Sequence, residues 1–148
     1  MSYQERRVLV SIISSVLINL IYSLYMLQRY PEASAYSVEI FHFWGSFFLV
    51  LILVSIVAKI LIYIVFAIVN AIATREEEPP ITDERDKLIE LKSNRYGLYV
   101  FALGFVLAMA SLVFNTPPTG MFLILFAAGF ASDIASEISQ FVFYRRGF

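Results

Sequence analysis

Four apolar runs, at 8–27, 44–73, 96–114 and 120–144, constrain this chain more than any other feature. Each approaches or exceeds the roughly 20 residues that a helix needs to cross a hydrocarbon core. Between them lie short polar or charged segments, so the charges are segregated along the chain. Backbone polar groups inside a bilayer must be satisfied within their own segment, which leaves helices as the spanning structure for runs of this length. The expected fold is therefore all-α: a single integral membrane domain, 1–148, built as a four-helix transmembrane bundle. Composition agrees, with 59% hydrophobic and 16% charged residues and a mean hydropathy of +0.75. The first run has no clear small-x-small cleavage site behind it, "EASAY" being a weak candidate, and is read as a span and not a signal peptide.

Several function classes drop out early. There are no cysteines, so disulfides, thiolate metal sites and cysteine nucleophiles are excluded. One histidine excludes a multi-histidine metal centre within one chain. A net charge of −1 argues against a nucleic-acid partner. The expected partner is the lipid bilayer, with no cofactor and no metal. Glu76, Glu77, Glu78, Asp83 and Asp86 are acidic but lack the ligand spacing of a calcium loop.

Charge also sets the expected orientation. Nine of the eleven basic residues flank the runs on one side: Arg6 and Arg7 before the first, five between the second and third, and Arg145 and Arg146 after the fourth. Arg29 alone lies on the other side, and Lys59 lies within the second run. Basic residues accumulate on the cytoplasmic side, so both termini and the linker 74–95 are expected there. This is the multi-pass arrangement of a prokaryotic inner (plasma) membrane protein. Phe41, Phe43 and Trp44 are placed at headgroup depth on the outer side, where amphipathic rings concentrate. His42 sits among them and is read as an interfacial residue, since no titrating partner is evident.

Charge inside the membrane is the second informative feature. At about 1.5 Å per residue, Asp133 lies about 21 Å below Thr119 and Lys59 about 22 Å below Trp44. Both helices run the same way, so the two meet at one depth, with Glu137 one turn further in. Helical spacing puts Asp133, Ser136, Glu137 and Gln140 on one face of the fourth span, with Gly129 and Tyr144. Ser55, Lys59, Tyr63 and Asn70 share a face of the second, and Ser15, Asn19, Tyr22 and Ser23 a face of the first. Polar stripes of this kind turn towards one another, because lipid does not satisfy them. The expected site is a buried polar cluster of Lys59, Asp133, Glu137, Asn19, Ser55, Ser136 and Gln140. Three readings fit it: a proton or cation relay, an ion pair that fixes helix register, or a Lys59 that snorkels while Glu137 meets the terminal arginines. Gly97, Gly104, Ala108 and Ser111 on the third span, and Ala128, Ser132 and Ser136 on the fourth, form small-residue stripes suited to close packing.

The linker "REEEPPITDERDKLIELKSNRYG" ends the second helix at Pro79 and Pro80. Thr82 or Asp83 can cap a new short cytosolic helix, which nothing breaks before Gly97. Its apolar edge, Leu88, Ile89 and Leu91, suits equally a solvated helix lying on the membrane interface and docking to a soluble or membrane partner, or to a second subunit of a homodimer. "DERDKLIELKSNRYG", together with the closing "SEISQFVFYRRGF", resembles a group of small prokaryotic membrane proteins that form a domain of unknown function. Four spans, a cytosolic Asp-Glu-Arg segment and an aromatic-Arg-Arg-Gly ending mark that group. The resemblance spans 83–147, brings no assigned catalytic residues, and draws attention to Asp83, Glu84, Arg85, Tyr144, Arg145 and Arg146. Charge pairing between Asp83 or Glu84 and Arg145 or Arg146 would clasp the cytosolic ends together.

No enzyme constellation emerges. A membrane aspartyl peptidase needs two intramembrane aspartates, and only Asp133 is available. Small four-span drug exporters carry an essential Glu in the first span, where this chain has Asn19. The expected function is a non-enzymatic accessory, binding or regulatory membrane protein. The alternative is a small proton- or cation-coupled carrier working as a homo-oligomer, against which stands the outer half of the fourth span, 121–130, with no polar side chain.

Overall fold

The structure, a computed structural model, describes residues 1–75 and 83–147. It contains four helices: α1, Tyr3–Leu27; α2, Val38–Thr74; α3, Glu84–Val113; and α4, Pro118–Arg146. All four are long and apolar enough to cross a membrane. They alternate in direction, so that both termini, the end of α2 and the start of α3 share one end of the bundle. The α1–α2 and α3–α4 turns share the other.

Local chemistry explains each boundary. Ser2 caps α1 through a reciprocal capping box: its hydroxyl accepts from the Glu5 N–H at 3.2 Å, and its own N–H donates to the Glu5 carboxylate at 3.2 Å. α2 starts six residues before the apolar run and ends at Arg75, which adopts the left-handed conformation with φ 55°. Its 37 residues measure about 55 Å, well beyond a core about 30 Å thick, so α2 tilts or projects from it. α4 opens on Pro118, whose fixed φ and missing N–H suit a first turn, and closes on Arg145 and Arg146, where the helix dipole favours cations. Between α3 and α4, Asn115 takes φ 57° and the Thr116 hydroxyl donates to the Ser111 carbonyl at 2.6 Å.

The short helix expected before the third span is the first part of α3 itself. Asp83 is its N-cap, and the helix continues to Val113 without a break. Glu76, Glu77, Glu78, Pro79, Pro80 and Thr82, singled out in the sequence, lie outside the described residues.

In space α3 packs against α4, α4 against α1, and α1 against α2. The α3–α4 seam is the tightest. A Cβ on Gly104 would lie 2.2 Å from the Ala128 Cβ, and one on Gly97 would lie 2.9 Å from the Ser132 carbonyl oxygen. Ser132 donates its hydroxyl to the Gly97 carbonyl at 2.8 Å, and Ser136 to the Asn94 side chain at 2.9 Å. The two small-residue stripes are thus the two faces of one seam, where backbone approach replaces the hydrophobic drive that lipid removes.

α2 meets α4 differently, through rings. Trp44 stacks on Phe122 with centroids 5.6 Å apart, and Phe47 meets Phe126 edge-on at 5.3 Å. Tyr22 donates its hydroxyl to the Phe47 carbonyl at 2.7 Å. Trp44, at 1% exposure, is the centre of this core and not a lipid-facing belt residue. Tyr30 packs over it from the turn side (centroids 6.4 Å), so Trp44 is held between helices. Phe41 and His42 remain exposed.

Gly104→Ala should destabilise the bundle by about 1–3 kcal/mol, the usual cost of overpacking. Gly45→Ala, where a new Cβ meets nothing within 4 Å, should be neutral or slightly stabilising, since alanine is the better helix former. Thermal unfolding of the two purified variants in detergent checks the pair.

Candidate functional site: an ion-paired cluster between two cavities

Ionisable groups from two helices meet inside the bundle, and a third helix supplies hydroxyls. The Lys59 ammonium of α2 donates to both oxygens of Asp133, at 3.2 and 3.0 Å, and to Glu137 Oε1 at 3.2 Å. From α1, Ser15 donates to the same Glu137 oxygen at 3.1 Å, and Ser11 makes a close hydrogen bond to it. Tyr63 of α2 donates in turn to the Ser11 hydroxyl at 2.9 Å. One cation therefore serves two carboxylates, and three donors converge on one oxygen. The other, Glu137 Oε2, is buried without a hydrogen-bond partner.

This arrangement answers why two carboxylates occur in an apolar helix. A lone buried charge is expensive, whereas one that is paired and hydrogen-bonded is tolerated. Asp133 and Glu137 stand one helical turn apart, so a single ammonium can bridge them. Glu137 is 7% exposed, Ser11 5% and Ser15 1%. Asp133 is more open, its side chain 40% accessible, because two cavities reach it.

Towards the termini lies a polar cavity of about 340 Å³ whose walls carry Asp86, Glu90, Asn94, Ser136, Glu137 and Gln140, with Arg7 on the α1 side. The Arg7 guanidinium stands 5.0 Å above the Tyr63 ring, and Tyr144 faces Asp86 and Gln140. On the other side of the ion pair lies an apolar cleft of about 670 Å³ between α2 and α4, walled largely by Phe48, Leu51, Ile52, Phe122, Leu125 and Phe126. Lys59 borders the cleft, and Asp133 borders both spaces.

The seven residues expected to cluster therefore divide. Lys59, Asp133 and Glu137 touch one another. Ser136 and Gln140 line the polar cavity, one turn away. Asn19 and Ser55 line the apolar cleft, and Asn19 donates to its own helix at the Ser15 carbonyl, 2.8 Å away. Lys59 does not snorkel away from the acids, and Glu137 does not reach the terminal arginines. Asp83, Glu84, Arg85, Arg145 and Arg146 are all exposed, and among the described residues no ion pair joins the first two to the last two. Contact at that end runs instead through Lys92, whose ammonium lies 5.4 Å from the centre of the Phe143 ring.

Ser11 is the participant that the sequence reading missed. It sits four residues before Ser15, so one more turn along the same stripe finds it. Asp86, Glu90 and Asn94 were missed because their segment was read as a docking surface and not as a wall of the buried cluster. On a continuous α3 they fall in register with Gly97 and reach the cavity. Among the described residues, no group of three or more metal-type side chains converges. No protein-family profile, curated protein or solved structure matches the chain.

Replacing Lys59 by Met should destabilise the protein towards the lower end of about 3–5 kcal/mol, because two carboxylates lose their cation in a partly open site. Adding Asp133→Asn and Glu137→Gln to Lys59→Met should recover part of that loss. Thermal unfolding of the single and triple variants reads the difference. Equal stability for Lys59→Met and wild type would mean that the ion pair does not hold α2 to α4.

Proposed function

We propose that the chain is a non-enzymatic, multi-pass membrane protein that binds a ligand from one side and acts as an accessory or regulatory component. In this reading it lies in a prokaryotic inner membrane with both termini and the α2–α3 connection in the cytoplasm, in keeping with the excess of basic residues at that end. The polar cavity then opens towards the cytoplasm, and the exposed start of α3, with Asp83, Glu84 and Arg85, is available to a protein partner or to a second copy.

One observation carries the proposal. The polar cavity ends at the Lys59–Asp133–Glu137 cluster, and the space beyond is an apolar cleft walled by Phe48, Leu51, Phe122, Leu125 and Phe126. A charged species entering from the termini meets a paired cluster and then hydrocarbon-like walls, where a bare charge costs several kcal/mol or more. That describes a blind binding site rather than a conduit. The runner-up reading, a proton- or cation-coupled carrier, draws on a separate observation: Asp133 borders both spaces, as a relay residue would.

Proton flux in sealed proteoliposomes under an imposed pH gradient separates the two. We expect no flux above that of protein-free vesicles, for wild type and Asp133→Asn alike. Flux in the wild type that Asp133→Asn abolishes would install the carrier reading in its place.

Orientation has its own test, made clean by the absence of cysteine. In intact cells, a membrane-impermeant maleimide should label a Ser34→Cys variant from outside and leave Glu84→Cys unlabelled until the cells are opened. The reverse pattern would invert the topology.

A further inference from the structure

The apolar cleft holds polar groups that lipid leaves unsatisfied. Asn19 of α1 and Ser55 of α2 both border it. Asn19 donates one side-chain N–H to the Ser15 carbonyl, and its Oδ1 receives no hydrogen bond among the described residues. Ser55 has no hydrogen-bond partner among them either. Ser14 and Ser139, by contrast, return their hydroxyls to the carbonyl one turn back, at 2.6 and 2.7 Å. Ser55 stands at the middle of α2, and Asn19 about 12 Å short of the end of α1. Water does not compete for them at that depth, so a hydrogen bond left unmade costs free energy that a ligand's polar atom would return.

Gly129 is an independent sign. It lies mid-helix in α4, where glycine is a poor helix former, yet a Cβ there would meet nothing within 4 Å. Unlike Gly97 and Gly104 it permits no close helix contact, and its effect is to widen the cleft that it borders. Rings make up much of the remaining wall: Phe48, Phe101, Phe122, Phe126 and Phe130. Exposed Ile52, Ile56 and Phe101 mark the mouth of the cleft, on surface that lipid would cover. Its volume, about 670 Å³, is that of a small-molecule site, and such sites join apolar walls to a few placed polar groups.

We propose that the cleft binds a neutral hydroxylated aromatic molecule that enters from the bilayer, with its ring among the phenylalanines and its hydroxyl between Ser55 and Asn19. The hydroxyl donates to Asn19 Oδ1 and accepts from Ser55, so one O–H group satisfies an acceptor and a donor together. A phospholipid chain is a poorer occupant, because its polar atoms stay at headgroup level and only carbon reaches the depth of Ser55. A cation gains less there, since Lys59 already donates to both Asp133 oxygens at the end of the cleft. This site is separate from the polar cavity and does not rest on reading that cavity as a binding site.

The experiment is equilibrium dialysis of the full chain in detergent micelles against labelled 2-naphthol, with empty micelles as the blank. Saturable binding above the blank is expected. 2-Methoxynaphthalene, which keeps the ring and the oxygen but has no O–H, should bind about three- to tenfold more weakly relative to its partition into empty micelles, the scale of one neutral hydrogen bond. Naphthalene should bind more weakly again. Ser55→Ala and Asn19→Leu should each weaken 2-naphthol binding by about three- to tenfold, and Ser55→Ala should do so with Tm unchanged, because the hydroxyl it removes has no partner within the chain. Gly129→Leu, which fills the cleft, should abolish binding. Should Gly129→Leu fail to fold, Ser55→Ala and the ether comparison decide. No saturable binding above the blank, or binding unchanged in folded Gly129→Leu or Ser55→Ala, would overturn the proposal. Naphthalene binding as tightly as 2-naphthol would overturn it too, and would make the cleft a seat for hydrocarbon chains alone.

Discussion

The bundle depends on one ammonium held between two carboxylates. Without Lys59, α2 would touch α4 only through the rings near the turns, and the acids of α4 would stand unpaired at membrane depth. With it, α2 is anchored to α4 at a second level, and the serines of α1 draw the third helix to the same point. In water such a cluster would compete with solvation, and its net contribution would be small. In lipid the competing solvent is absent, so leaving the groups apart becomes the costly alternative. The cluster therefore fixes which faces of α1, α2 and α4 turn inward.

The two halves of the molecule use different physics for the same task. α3 and α4 meet over small side chains, close enough that the Gly104 position leaves no room for a methyl group against Ala128. α2 has nothing comparable on its inner face. Bulky Phe47, Phe48 and Leu51 hold it off α4, and the space left between the ring cluster and the ion pair is the apolar cleft. A tight pair and a propped-open pair within one bundle place the cavities on the α2 side. They also account for the asymmetry of exposure: Ala108, in the seam, is 0% exposed, whereas Leu49, Ile52 and Leu53 of α2 are more than half exposed and lie on surface that lipid would cover.

Much of this was legible in the residues, for reasons that differ between features. Span number follows from apolar run length, a requirement set by membrane thickness and indifferent to packing. That Lys59 can reach Asp133 and Glu137 follows from depth and helical phase; that it pairs with both rather than snorkelling is visible only in the structure. The small-residue seam was readable because glycine and alanine at fourfold spacing have a distinct role in helix contacts. The sequence was silent where phase was ambiguous or where a boundary was misjudged. Asn19 and Ser55 share faces with true cluster members but lie further towards the turns, level with the cleft, so a common face was mistaken for a common depth. Trp44 was assigned by residue type to the interface. Its burial depends on Phe122 and Tyr30, distant in sequence, and no local pattern announces them.

The continuity of α3 has the largest consequence for function. Taken as a separate linker helix, the segment with Asp86 and Glu90 reads as a solvated surface for docking. As the first turns of a spanning helix held against α4 by the Gly97 seam, it carries those acids to the mouth of the polar cavity, in register with Asn94. A single unbroken helix thus converts a charged linker into a wall of the site. The Gly97–Ser132 contact lies just beyond those turns and holds that part of α3 against α4.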